Sequence, residues 1–278
     1  MALKETRIVK YELENPAFAD VEFTESSKNY RILPKAVQFA MGQKAVLQSA
    51  REAAAFRIEA DKADGADLCQ ATRTGSIYFI KDGKKYIAVD DHPDPNQNIV
   101  ISRVQEGYNA NRVSPFSELF VPLNDEQLNE LLNRAEKADR IHQFPSKCLE
   151  LALEDVNGSS EFGKNSIARS LLGDMVEPYA TFLRGRKCKT GYVFLLDPNY
   201  VEAQTKGQTA IVRPAGLGGG SYIDIGSFGT GNQFGNGGGV RGVRGAREWP
   251  EVPEDKRTYK LVFQDNETFE VHRVRSAV

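Results

Sequence analysis

The chain has 278 residues, of which 40% are hydrophobic and 27% charged. That length predicts one or two domains with buried cores, and that composition excludes a disordered or fibrous protein. A net charge of −2 excludes a polycation wrapped tightly by nucleic acid, but the balance is uneven. Residues 160–247 carry 11 basic against 6 acidic side chains, whereas residues 1–159 carry 20 against 25.

From the N-terminus, MALKETRIVKYELEN lacks the apolar stretch of a secretory signal, and no apolar run is long enough to span a membrane, so a cytoplasmic protein is expected. Val9, Tyr11 and Leu13, then Ala19, Val21 and Phe23, alternate with polar residues and predict two half-exposed strands. Pro34 followed by an Ala-, Gln-, Glu- and Lys-rich stretch predicts a helix of about seven turns, ending before Asp64-Gly65. Ile77 to Lys81 and Lys84 to Val89 flank Asp82-Gly83, the signature of a β-hairpin, and Asn98 to Val104 reads as a further strand. Asn124 with Gln127 starts a helix whose stripe runs from Leu128 to Ile141; Ile167 to Phe182 form another helical face that Pro178 should kink. Tyr192 to Leu196 and Thr209 to Val212 read as buried strands, and Thr258 to Gln264 with Thr268 to Val274 as a terminal hairpin.

Between the last two features lies a compositional break. Residues 213–247 hold 13 of the 24 glycines and a single acidic residue, Asp224. Such a segment reads as a long internal loop. Its backbone N–H groups, the rings of Tyr222, Phe228 and Phe234, and the cations Arg241, Arg244 and Arg247 together suit a phosphate backbone with unpaired bases. Arg184, Arg186, Lys187 and Lys189, at the expected end of the third helix, extend the basic character.

Two weaker constellations point to catalysis instead. Gly158 to Gly163 followed by Lys164 approaches the phosphate-loop pattern, with Asp197 as a carboxylate for Mg2+, but Asn165 stands where the hydroxyl ligand belongs. Asp90, Asp91, His92 and Asp94 offer oxygen and imidazole ligands for a divalent cation. Three cysteines lack metal-ligand spacing, and His142 and His272 have no nucleophile beside them in sequence.

The expected fold is α+β, a mainly antiparallel sheet with three or four helices and the glycine-rich loop. Residues 1–120 and 121–278 would form two subdomains, or one intimately packed domain. The expected function is a non-catalytic nucleic-acid-binding or assembly protein whose partner is single-stranded nucleic acid or other copies of itself. A nucleotide- or metal-dependent enzyme and a structural subunit of a homo-oligomer are the alternatives.

Overall fold

The computed structural model describes residues 10–18, 21–24, 26–28, 40, 45–61, 69–92, 98, 102, 120–122, 125–137, 139–156, 158–205, 209–217, 220–225, 238–240, 242–245, 258–262 and 268–272. Among them, β1 (Lys10–Glu12) and β2 (Val21–Thr24) pair antiparallel as their alternation predicts. The short strands β3 (Ser27–Lys28) and β4 (Val46–Leu47) follow, and α1 spans Ala50–Ala60. The single long helix expected from Pro34 is interrupted: Ala40 is helical, but Val46 and Leu47 are extended and Ser49 caps a new start at α1. Residues 31–39 lie outside the described residues.

The start of α1 is over-determined. The Ser49 hydroxyl accepts from the Glu52 N–H at 3.2 Å, and Glu52 accepts from the Ser49 N–H at 2.6 Å, a reciprocal cap legible in Ser-x-x-Glu. Arg73 grips the same carboxylate with two nitrogens at 2.7 and 3.0 Å and donates to the Leu47 carbonyl at 2.7 Å. This ties the helix to β5 (Cys69–Lys81), which turns through Asp82 and Gly83, both with φ above +50°, into β6 (Lys84–Asp90). Asp-Gly tolerates those angles, so the expected hairpin forms with Lys81 opposite Lys84. Of the strand expected at Asn98 to Val104 only Asn98 and Ser102 are described, and the Ser102 N–H reaches the Asn98 carbonyl at 2.9 Å.

After β7 (Phe120–Pro122) comes the expected helix, α2 (Asp125–Lys137); Ile141 has already entered β8 (Ile141–Gln143). Strands β9 (Cys148–Ala152), β10 (Asp155–Val156) and β11 (Ser159–Ser160) lead into α3 (Glu161–Lys164), α4 (Ser166–Leu172) and α5 (Val176–Gly185). The break expected at Pro178 falls instead at Gly173, whose φ of +58° ends α4. Pro178 sits in the first turn of α5, where its missing N–H would have no helical partner. Then follow β12 (Thr190–Phe194), α6 (Pro198–Gln204), β13 (Thr209–Leu217), β14 (Tyr222–Asp224), β15 (Gly238–Val240), β16 (Gly242–Gly245), and the terminal hairpin β17 (Thr258–Val262) and β18 (Thr268–His272). At least six helices are present, exceeding the expected three or four, because the third is broken and α6 is added.

The class is α+β. Ten strands form one mixed sheet with the path β3-β15-β5-β13-β14-β12-β9, to which β6, β7 and β8 attach; a smaller sheet runs β1-β2-β16-β4. Pairing is antiparallel except between β12 and β14 and between β15 and β5. The glycine-rich segment is therefore no continuous loop: its described residues supply the end of β13 and all of β14, β15 and β16, which enter both sheets. Residues 226–237 lie outside the described residues.

Helices α1, α4 and α5 join the sheet in one core, where Phe23, Phe56, Phe162, Leu171, Tyr179, Val193 and Ile223 are buried. Four alanines of α1 are buried, and small side chains let the helix approach closely. Gly191 has the same logic, since a Cβ there would lie 2.6 Å from the Phe162 ring. Gly191→Ala should therefore cost about 1–3 kcal/mol by overpacking, read as a lower thermal midpoint. Gly185→Ala, where nothing lies within 4 Å, is the control expected to lose no stability.

Candidate functional site

The alternation in β12 buries Gly191 and Val193 and leaves Thr190, Tyr192 and Phe194 half-buried on the opposite face. Strand β14 runs parallel beside it with Tyr192 opposite Tyr222 and Phe194 opposite Asp224. The rings of Tyr192 and Phe194 are nearly coplanar in orientation, 7° apart with centroids separated by 6.1 Å. Tyr222 meets Phe194 edge-on at 5.8 Å. On the other side β9 pairs antiparallel, placing exposed Glu150 opposite Tyr192 and half-buried Cys148 opposite Phe194. Three half-exposed rings flanked by a carboxylate thus form one surface on rigid strands. Burial raises the Cys148 thiol above its ordinary range, with Glu150 adding to the effect.

The end of this unit is held tightly. Ile225 donates its N–H to the Phe194 carbonyl at 2.9 Å, and its own carbonyl accepts from the Tyr78 hydroxyl at 3.0 Å. The Ser76 hydroxyl lies 3.3 Å from that carbonyl and equally far from the Arg213 carbonyl. Tyr78 also accepts from the Leu196 N–H at 3.3 Å. Burial pushes the Tyr78 phenol well above its ordinary range, so it stays a donor; Arg213 and Asp224 act on it with opposite signs. At the other end the Tyr192 N–H reaches the Ser221 carbonyl at 2.8 Å.

Of the sequence-predicted nucleic-acid contacts, Tyr222 belongs to this surface. Lys187 and Lys189 are exposed in the turn that enters β12, five and three residues before Tyr192. Arg184 donates to the Thr181 hydroxyl at 2.8 Å, and Arg186 pairs with Asp61 and stacks over Phe182 at 4.7 Å, so both have structural work at the end of α5. The backbone of Arg244 lies in β16 opposite Glu22. Phe228, Phe234, Arg241 and Arg247 lie outside the described residues.

The phosphate-loop reading is corrected by the local geometry. Strand β9 is antiparallel to its neighbour and exposed on alternate residues, and α3 is only four residues long. The place of an anion is filled by Glu177, which accepts from the Ser159 hydroxyl at 2.6 Å and the Ser160 N–H at 2.9 Å. Gly163 makes room beside it: a Cβ there would fall 1.6 Å from the Glu177 carboxylate, which would have to shift. Gly158 supplies a turn with φ +89°, Lys164 is exposed, and Asp197 caps α6 through the Asn199 N–H at 2.8 Å. Three of the four residues of the metal reading are described. Asp90 is buried and accepts from the His92 N–H, Asp91 pairs with Arg140, and Asp94 lies outside the described residues. Among the described residues no group of three His, Cys, Asp or Glu side chains is arranged to hold a metal ion.

One contact escaped sequence reasoning altogether. His142 Nε2 lies 2.6 Å from the Ser170 hydroxyl, joining β8 to α4 across 28 residues of chain, a separation that carries no pattern.

The chain matches no known family model, and none of the curated proteins is similar to it in sequence. A solved structure described as the accommodation of massive sequence variation in Nanoarchaeota by the C-type lectin fold is similar over 86% of this chain and 99% of its own. The TM-score is 0.54 and the identity 12%, so the likeness concerns the fold, which is C-type-lectin-like. No described helix is long and apolar enough to cross a membrane.

Burial holds His142 below its ordinary pKa of 6.5, against a smaller opposing effect of Asp139. The unfolded chain therefore binds the proton first, and this histidine's contribution to stability is present above pH 6.5 and lost as pH falls through the depressed value. Thermal midpoints measured between pH 7.5 and 5 should fall, and His142→Gln should flatten that decline.

Proposed function

We propose that this protein is a non-catalytic recognition module in which a C-type-lectin-like frame presents a binding surface built from β9, β12, β14 and the adjoining glycine-rich segment. The observation that carries the reading is the half-exposed array of Tyr192, Phe194 and Tyr222 on paired strands. Rings held on strands lose little entropy on binding, and a solvent-facing cluster of this kind is unusual unless it meets a partner. Beyond β14, residues 226–247 hold nine glycines, two asparagines and two phenylalanines, a glycine-dominated composition with the polar and aromatic side chains that recognition loops use. A solved protein of this fold is described as accommodating massive sequence variation, and the proposal extends that use of the frame to the surface of this chain.

The second reading makes the partner a single-stranded nucleic acid, with bases on the rings and phosphates at Lys187, Lys189, Arg241, Arg244 and Arg247. Its support is the basic balance of residues 160–247. Assembly with other copies of the chain is the corresponding polypeptide form.

Replacing Tyr192, Phe194 and Tyr222 together by Ser tests the main reading. A displayed surface should tolerate the change with a loss below about 1.5 kcal/mol, whereas rings that serve the core would cost at least about 3 kcal/mol each. For the second reading, a single-stranded oligonucleotide is titrated at about 50 mM salt, where phosphate contacts are strongest. Binding that falls steeply with salt, and a slope reduced by about 0.7 per lost contact on replacing Arg241, Arg244 and Arg247 by Ala, is the expected result. Absence of binding removes the nucleic-acid form.

A further inference from the structure

We propose that the surface of β9, β12 and β14 receives a guanidinium group, the arginine side chain of a polypeptide partner; this rests on the recognition reading and names its ligand. The first support is charge. These three strands read CLELA, TGYVF and YID, so their charged residues are the exposed Glu150 and the buried Asp224, both carboxylates, with no lysine or arginine among them. Glu150 is exposed at the sheet edge directly opposite Tyr192, with about 5 Å between cross-strand Cβ atoms. A phosphate backbone would meet like charge there, while a cation would meet its complement.

The second support lies in the protein's own packing. Twice an arginine stacks on a phenylalanine while a carboxylate holds its guanidinium. Arg51 lies over Phe18 at 4.6 Å and pairs with Asp174 at 2.6 Å. Arg186 lies over Phe182 at 4.7 Å and pairs with Asp61. Tyr192 and Glu150 present the ring and the carboxylate of the same arrangement, and the arginine is the component a partner would bring. Guanidinium suits the site better than ammonium because it is flat, weakly hydrated, and able to stack while its edge donates to a carboxylate. The near-parallel rings of Tyr192 and Phe194 extend the stacking surface, and Tyr222 closes one side.

The test follows the ring resonances of the full-length protein by NMR while the peptide acetyl-Gly-Gly-Arg-Gly-Gly-amide is titrated to millimolar concentration. The same peptide with citrulline, a neutral isostere, is the comparator. Expected are shifts of Tyr192, Phe194 and Tyr222 with the arginine peptide, and clearly weaker binding of the citrulline peptide. Glu150→Gln, an exposed and conservative change, should weaken the arginine peptide by about two- to fivefold, the worth of an exposed ion pair, without moving the thermal midpoint. Equal affinity for the two peptides, an unaltered affinity in Glu150→Gln, or no ring shift with the arginine peptide overturns the assignment. Ring shifts produced by an oligonucleotide instead would give the surface to nucleic acid. The recognition reading is judged separately, by the stability of the protein lacking the three rings.

Discussion

Ile225 is the point on which the candidate surface depends. One residue closes two attachments: its N–H bonds to the last residue of β12, and its carbonyl is held by hydroxyls projecting from β5. Because the Tyr78 hydroxyl is buried, releasing that carbonyl would leave its donor without an acceptor in a water-poor interior, at a cost of about 1–3 kcal/mol, while Ser76 would keep the Arg213 carbonyl. The chain therefore leaves β14 at a fixed place and direction. Strands β12 and β14 gain their parallel register from this anchor together with the Tyr192–Ser221 contact at the opposite end.

A parallel pair of strands separated by α6 and β13 needs support from outside itself, and the fold supplies it in layers. Strand β13 lies between β5 and β14, and α1, capped by Ser49 and clamped through Glu52 to Arg73, shares the core with α4 and α5. The inward face of β12 packs on Phe162 through Gly191, whereas its outward face is left to the rings. The exposed edge strand β9 is shielded against indiscriminate pairing. Ser146 takes the Cys148 carbonyl at 2.7 Å and Glu161 takes the Ala152 N–H at 3.0 Å, so backbone groups at both ends of the edge are occupied. Selectivity then falls to side chains on the face.

Local chemistry was legible where it is local. Asp82-Gly83 announced the β5–β6 hairpin, the leucine spacing announced α2, and the apolar run Tyr192 to Leu196 announced β12. Long-range pairing was not. Gly216, Gly238, Gly239, Gly242 and Gly245 look like breakers in sequence, yet they lie in strands paired with neighbouring strands, a circumstance no window of sequence contains. Likewise, Gly158 to Lys164 resembled a phosphate cradle because the carboxylate that fills it, Glu177, comes from the following helix pair. Of the candidate surface, Tyr222 was singled out for stacking, while Tyr192 and Phe194 were read only as a buried strand. Their exposure depends on which face of the sheet the helices cover.

Amide hydrogen exchange of the full-length protein tests the central claim, that the aromatic surface stands on a locked three-strand unit. The account predicts that the amides of Tyr192 and Ile225, which close the two ends of the β12–β14 pair, exchange as slowly as those of the central strand β5, with protection approaching that of global unfolding. Exchange of these two amides within the time of a mobile loop, while β5 stays protected, would contradict it.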